Sequence, residues 1–244
     1  MKSLDGKAAI VTGASSGIGR AIARALGDAG VSLTLTARRA DRLEAIAGEM
    51  ESAQAVQADF RDEEQIRAAI KSAAHHWGRL DILINSAGLA KQAKLTDGDS
   101  EDWREMLDVN VLGLAIANRE ALRYFDPQAG GQIVNICSMS GHRVPGKGGF
   151  YAATKFAVRA MSEGLRQELR AAGNSTRVSQ VSPGFVDTEL LDIYFQTSGA
   201  DRYSAVDYEM LKPDDIARTV LHVLTAPDHV DVTDVLVRPR AQVT

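Results

Sequence analysis

The sequence predicts an α/β fold in which a parallel β-sheet is covered by helices on both faces. Short apolar runs, glycine-containing turns and stretches with helical spacing of apolar residues alternate along the chain. The chain has 244 residues, 45% of them hydrophobic, which suffices for one large core. No repeat, low-complexity tract or linker interrupts the pattern, so residues 1–244 are expected to form a single domain.

Seven strands are predicted, each a short run rich in apolar or β-branched residues and followed by turn-forming or polar residues. They span residues 7–12, 31–36, 55–58, 80–84, 132–136, 177–181 and 232–237. The first helix follows the turn at 13–19, and Asp62 with Gln65 predicts a capped start for the third. The other helices are expected after the second strand, twice within 99–125, from near Tyr151 toward Gly173, and over 213–226.

Residues 188–212 break this alternation, because polar residues are interleaved there with aromatic ones. Long irregular insertions after the carboxyl end of a strand frequently bind ligands. We therefore interpret residues 188–212 as a mobile lid over a substrate. A surface excursion without a role is the alternative.

Composition argues against several classes of function. The formal net charge is −4 and no long basic block occurs, so the expected partner is a small molecule and no nucleic acid. Cys137 is the only cysteine, and the adjacent His75 and His76 point about 100° apart on a helix, so neither a disulfide nor a metal site is expected. No apolar stretch approaches the ~20 residues that cross a bilayer, and the start MKSLDGK does not resemble a signal peptide. A soluble, cytoplasmic protein with no membrane partner is expected.

The stretch from Ser138 to Lys155 gathers a hydroxyl, a phenol and an ammonium group. Tyr151 and Lys155 are four residues apart and share one face of a helix. An ammonium group near a phenol lowers its pKa from about 10, so Tyr151 is a candidate general acid/base. Ser138 follows an apolar strand, where its hydroxyl can hold a carbonyl oxygen. An ordinary surface helix is the alternative, since Tyr-x-x-x-Lys is common by chance.

The turn between the first strand and the first helix reads TGASSGIG at 12–19. Glycines in this context let the backbone approach a pyrophosphate at a helix N-terminus. The second strand runs into Ala37-Arg38-Arg39, at the position that usually meets the adenosine ribose. Two guanidinium groups and no carboxylate favour a 2′-phosphate, which predicts NADP(H) as the cofactor. A tight turn and two solvated arginines are the alternative.

Together these residues resemble the short-chain dehydrogenases/reductases over nearly the whole chain. The motifs that carry the resemblance are TGxxxGxG at 12–19, NSAG at 85–88, Asn110, Ser138, Tyr151 with Lys155, and Pro183-Gly184. Ser86 departs from the family, which more often has a second Asn there. The resemblance implies a Rossmann-type, doubly wound sheet of seven parallel strands in the order 3-2-1-4-5-6-7. It also implies a homotetramer or homodimer that pairs through the helices within 99–125 and 151–172.

The same resemblance implies an oxidoreductase that interconverts a secondary or primary alcohol, with hydroxy acids among the candidates, and a carbonyl by hydride transfer. Its catalytic residues would be Asn110, Ser138, Tyr151 and Lys155. Tyr151 would pass the proton, Ser138 would polarise the carbonyl, and Lys155 would hold the nicotinamide ribose, while Asn110 would bind a water. Its cofactor-binding residues would be Gly13, Ser15, Ser16, Gly17, Ile18, Gly19, Arg38, Arg39, Asp59, Phe60, Asn85, Ala87, Gly88, Tyr151, Lys155, Pro183, Gly184, Val186 and Thr188.

Two matters stay open at this point. A catalytically idle, cofactor-binding regulatory protein of the same fold is the alternative function. Arg143 and Lys147 lie in the loop between Ser138 and Tyr151, and we hypothesise that one of these cations receives a substrate carboxylate.

Overall fold

Seven strands form one parallel sheet with the order β3-β2-β1-β4-β5-β6-β7, which confirms the predicted doubly wound topology. The computed structural model describes residues 2–146, 148–196 and 206–242. The strands are β1 Ala8–Thr12, β2 Ser32–Ala37, β3 Ala53–Gln57, β4 Ile82–Asn85, β5 Gln132–Ile136, β6 Arg177–Pro183 and β7 Asp234–Val237.

Helices cover both faces of the sheet. Within the described residues they are α1 Gly17–Asp28, α2 Ala40–Gly48, α3 Glu63–Trp77, α4 Ser100–Leu107, α5 Leu114–Leu122, α6 Gly149–Ala171, α7 Glu189–Gln196 and α8 Pro213–Leu224. A π-helical segment, Asp108–Gly113, joins α4 to α5, and a 3₁₀ turn, Met139–Gly141, follows β5. None of the described helices is long and apolar enough to cross a membrane.

The central strands are buried on both faces because each face meets its own helix layer. In β1, Ala9 and Val11 point into the layer built by α1 and α8, whereas Ile10 points into the layer built by α3, α5 and α6. β4 divides in the same way, with Ile84 on the first side and Leu83 on the second. This explains why these strands read as continuous apolar runs rather than alternating ones.

The structure differs from the sequence-based elements in one place and adds a feature in another. The expected irregular lid begins as a regular helix, α7, since Leu191, Tyr194 and Phe195 recur at helical spacing and bury one face. The second half of the lid is partly outside the described residues, which resume at 206. The two helices expected within 99–125 form one run with a π-helical segment between them, a feature that apolar spacing does not predict.

The parallel order brings the carboxyl ends of β1, β2, β4, β5 and β6 to one edge of the sheet. The loops after these ends carry nearly all the residues singled out from the sequence. In open sheets of this kind, ligands bind along that edge at the point where the strand order reverses, here between β1 and β4.

Candidate active site

A cavity of roughly 1360 Å³ runs along the carboxyl edge of the sheet. Its wall contains the glycine turn at one end and Ser138, Tyr151 and Lys155 at the other. The predicted site residues in its lining are Gly13, Ser15, Ser16, Gly17, Ile18, Gly19, Arg38, Arg39, Asp59, Phe60, Ala87, Gly88, Ser138, Tyr151, Lys155, Pro183, Gly184, Val186 and Thr188. Asn85 and Asn110 are the two that do not line it.

Tyr151 and Lys155 project from the first turns of α6 and are buried. The Lys155 Nζ donates to the carbonyl oxygen of Ile136 at 3.0 Å and lies 5.8 Å from the centroid of the Tyr151 ring. Ser138 lies two residues after the end of β5 and caps the 3₁₀ turn, where its Oγ accepts a hydrogen bond from the Ser140 amide at 3.0 Å. The structure thus brings the predicted hydroxyl, phenol and ammonium groups together.

Burial disfavours the charged forms of both Tyr151 and Lys155. Burial raises the pKa of the Tyr151 phenol, and a hydrogen bond with Ser138 offsets only part of that rise. Burial also lowers the pKa of the Lys155 ammonium group. Burial is the largest influence on the Tyr151 pKa in the protein groups alone, and the lowering expected from Lys155 stays a prediction.

Asn110 is buried behind the cavity wall, in the π-helical segment. Its amide makes a two-way contact with the backbone of Leu89, donating to the carbonyl oxygen at 2.7 Å and accepting from the amide at 2.8 Å. It also donates to the Thr154 hydroxyl at 3.1 Å, which in turn donates to the carbonyl oxygen of Tyr151. Asn110 thus ties the loop after β4 to the first turn of α6.

Asn85 is turned away from the cavity. Its Nδ2 donates to the Oδ1 atoms of Asn118 at 2.7 Å and Asn135 at 2.9 Å, in a polar cluster inside the core. This places the Asn85 side chain between β5 and α5, away from the cavity, and its part in cofactor binding stays a prediction. The backbone that follows it, Ala87 and Gly88, does reach the cavity.

The glycine turn is packed tightly against the loop after β4. Gly13 has a φ of +66°, and a Cβ atom there would lie 2.8 Å from the Ala87 amide nitrogen. The Thr12 hydroxyl accepts hydrogen bonds from the amides of Ser86 and Ala87 at 3.0 and 2.9 Å. Only glycine fits at residue 13, and the two loops are held in a fixed relation.

Arg39 lies next to the glycine turn, at the end of the cavity where the resemblance implies the adenosine of a cofactor, here called the adenosine end. It donates from Nη2 to the hydroxyls of Ser15 at 3.0 Å and Ser16 at 2.7 Å, and Nη1 pairs with Glu189 at 2.8 Å. Within the described residues, no hydrogen bond or ion pair holds the Arg38 guanidinium, which is exposed at the cavity. Sequence reasoning missed Glu189, which lies 150 residues from Arg39 and belongs to no motif.

Asp59 and Phe60 lie at the same end of the cavity. Arg61 pairs with Asp59 at 2.6 Å, and its hydrogen bond holds the pKa of that carboxyl below its usual value. Phe60 is buried in the layer of α3 and α5. Arg61, which also pairs with Glu105, is a third cation at this end beside Arg38 and Arg39, and the motifs did not indicate it.

Aromatic side chains dominate the other end, next to Tyr151. The Tyr194 ring of α7 lies 6.1 Å from the Tyr151 ring, and Phe185 and Tyr208 also line the cavity. Arg143 lines the cavity here, with its Nη2 donating to the Met139 thioether at 3.4 Å. Burial, together with the nearby Arg238, lowers the pKa of Arg143. Lys147, the other candidate for a substrate carboxylate, lies outside the described residues.

The cavity fits a nicotinamide dinucleotide by the chemistry of its donors. Ser16 caps α1 without a side-chain hydrogen bond, so the first amides of that helix are left to another acceptor. Hydroxyls of Ser15 and Ser16 and two guanidinium groups surround them. At the other end, buried hydroxyl and ammonium groups face the same space. A long cleft with anion donors at one end and buried hydroxyl and ammonium groups at the other is typical of a nucleotide-dependent oxidoreductase.

Three comparisons with known proteins agree with this class. The short chain dehydrogenase family model matches residues 7–198. Dehydrogenase/reductase SDR family member 11 of Bos taurus is 42% identical over 250 residues, covering 97% of each chain. Two solved structures also superimpose: a closed serine dehydrogenase complexed with NADP⁺ has a TM-score of 0.90 and 32% identity, covering 97% of this chain and 96% of that one.

The second structure is a short-chain dehydrogenase/reductase of Burkholderia phymatum in complex with NAD, with a TM-score of 0.88 and 28% identity, covering 97% of this chain and 90% of that one. The chain belongs to the short-chain dehydrogenase/reductase family. It is accordingly an oxidoreductase of alcohols and carbonyl compounds that uses a nicotinamide cofactor.

Proposed function

We propose that this protein is an NADP(H)-dependent oxidoreductase in which Tyr151 is the general acid/base for alcohol–carbonyl interconversion. The observation that carries the proposal is the position of Tyr151 beside Ser138 and Lys155, at the end of the cavity opposite Arg38 and Arg39. The likeness to a serine dehydrogenase complexed with NADP⁺ supports it. The single cysteine and the composition support a cytoplasmic setting.

Each side chain has a role that follows from its surroundings. Tyr151 donates its phenol proton to a substrate oxygen during reduction and removes it during oxidation, while Ser138 holds that oxygen by a hydrogen bond. Lys155 would donate to the ribose of a bound nicotinamide cofactor. Asn110 fixes the loop after β4 against α6 and would hold the water through which the proton is replaced. A bound cofactor would supply hydride chemistry and, in its oxidised form, a positive charge.

We further propose hydroxy acids as substrates, with Arg143 as the carboxylate-binding residue. Among the described residues Arg143 has no carboxylate partner, and a second guanidinium group, that of Arg238, lies near it. A guanidinium group in a partly buried cleft gains most from a bidentate carboxylate. The serine dehydrogenase likeness supports the same substrate class.

Tyr151→Phe tests the catalytic proposal. It removes only the transferable proton, so we expect kcat to fall by about a thousandfold or more while NADPH binding changes less than about threefold. Steady-state rates and fluorescence titration of NADPH measure the two effects. Full turnover in Tyr151→Phe, or an inactive wild type that binds NADPH, would favour the catalytically idle regulatory protein instead. Separately, a wild type that uses NADH as well as NADPH, or better, would refute the assignment of NADP(H).

A further inference from the structure

The helix α7 reaches both ends of the cavity. Its apolar face, with Leu191, Tyr194 and Phe195, packs at the substrate end. Its first residue, Glu189, points to the adenosine end, where Oε2 pairs with Arg39 at 2.8 Å and Oε1 pairs with Arg42 at 2.8 Å. A carboxylate therefore lies against the arginine that faces the glycine turn.

Side chains of the protein itself occupy the nitrogen atoms through which Arg39 could bind an anion. The Nε and Nη2 atoms donate to the Ser15 and Ser16 hydroxyls, and Nη1 donates to Glu189. The two arginines hold the pKa of Glu189 below its usual value, so the carboxylate is ionised at neutral pH. A phosphate brought to Arg39 meets a negative charge that already holds the same guanidinium group.

We propose that Glu189 competes with the 2′-phosphate of NADP(H) for Arg39, and that this competition lowers the affinity for NADP(H) relative to NAD(H). The inference rests on the proposed use of NADP(H). Carboxylate and phosphate oxygens both accept from a guanidinium group, and Glu189 Oε2 already accepts from Nη1, so it must leave Nη1 before a phosphate oxygen binds there. Arg42 does not line the cavity, and it holds Glu189 when Arg39 turns to the phosphate.

Glu189→Gln tests this proposal, because it removes the charge and keeps the shape. We expect the Kd for NADPH to fall by about threefold to tenfold, and the Kd for NADH to change less than about twofold. The gain should shrink at high ionic strength, since the groups are partly exposed. Fluorescence titration measures both constants, and calorimetry with ADP-ribose 2′-phosphate against ADP-ribose repeats the comparison without nicotinamide or turnover.

Glu49→Gln is the matched control. Glu49 forms an ion pair of similar exposure with Arg24 at 2.6 Å and does not line the cavity, so the variant has the same net charge as Glu189→Gln. We expect it to bind both cofactors as the wild type does. NADPH binding that is unchanged or weaker in Glu189→Gln, equal tightening for both cofactors, or the same gain in Glu49→Gln would each overturn the proposal.

The proposed function fails in a different way. If the wild type binds neither cofactor, or prefers NADH, the assignment of NADP(H) is wrong whatever Glu189 does. If the wild type prefers NADPH and Glu189→Gln leaves its Kd unchanged, only the competition is refuted.

Discussion

At the scale of single residues, the site depends on how burial changes acid strength. Tyr151 is enclosed by α7 and by the loop after β5, and loss of hydration raises the pKa of its phenol. The neutral phenol is the proton donor that carbonyl reduction needs. Oxidation needs the phenolate, which only additional positive charge stabilises.

The raised pKa of Tyr151 predicts how the rates of reduction and of oxidation depend on pH. The proton stays on Tyr151 below its raised pKa, so kcat/KM for reduction should be level between about pH 6 and 9 and fall only above that range. For oxidation kcat/KM should still be rising over the same range. Stopped-flow or steady-state rates at constant ionic strength measure both. Oxidation that declines from neutral pH upward would contradict the role given to Tyr151.

Arg143 allows a second test at this scale. Replacing Arg143 with Gln removes the charge from the substrate end, so kcat/KM for a hydroxy acid should fall by about a hundredfold and that for its methyl ester by less than about threefold. Arg159→Gln is the control, because Arg159 is half exposed and lies outside the cavity wall. Equal losses for both substrates, or none, would remove Arg143 from carboxylate binding.

At the scale of elements, one carboxylate joins β1 and β4, the two strands between which the strand order reverses. Asp81 lies immediately before β4. Its carboxylate accepts hydrogen bonds from the Ala8 amide at 2.9 Å, from Lys7 at 3.0 Å and from the Arg79 guanidinium group. Burial alone would raise the pKa of Asp81, but the hydrogen bonds from Arg79, Ala8 and Lys7 outweigh it and lower the pKa. The contact aligns the two strands whose carboxyl ends flank the cavity.

Replacing Asp81 with Asn should therefore destabilise the protein by about 1–3 kcal/mol at pH 7. Because the folded pKa is depressed, the stabilisation is complete above the unfolded pKa and is lost as the pH falls through the folded value. The difference from wild type should thus narrow below about pH 4. Urea unfolding at one fixed protein concentration measures it.

Asp97→Asn is the comparison variant for this measurement. Asp97 is 65% exposed and pairs only loosely with Lys94, at 3.7 Å. We expect a change of less than about 0.5 kcal/mol at every pH. A pH-independent loss in Asp81→Asn would show that packing, and not the carboxylate charge, matters at this position.

At the scale of the whole molecule, apolar side chains remain on the outside of two neighbouring helical regions. Leu112, in the π-helical segment, is 54% exposed, and Leu107 and Phe156 are 44% and 39% exposed. These residues lie in the regions through which the family resemblance implies pairing. We propose that they are covered in a homotetramer, or in the homodimer from which it is built.

Light scattering tests that assembly. We expect a mass four times the 26.2 kDa of the chain, and Leu112→Arg should shift it toward smaller species, because a charge would be buried in the contact. Leu95→Arg is the control, since Leu95 is 65% exposed but lies outside these helices. A monomeric wild type would refute the proposal.

Local sequence patterns were enough for the succession of strands and helices along the chain, and the family resemblance supplied most of the cavity wall. Apolar spacing reports which face of an element is buried, and a glycine turn after a strand reports a close approach of backbone. Strand ends shifted by a few residues: β3, for example, begins at Ala53 instead of 55. The first and last residues of a strand depend on its pairing with the neighbouring strand. The local sequence pattern carries no information about that pairing.

The sequence alone determined the fold class, the family and the gathering of Ser138, Tyr151 and Lys155, because these follow from periodicities of two and 3.6 residues and from motifs in order. Only the tertiary structure decided that Asn85 points into the core, that burial raises the pKa of Tyr151, and that Glu189 meets Arg39. These three features depend on side chains from distant segments and on the exclusion of water. The residues next to each position in the sequence encode neither of these two influences.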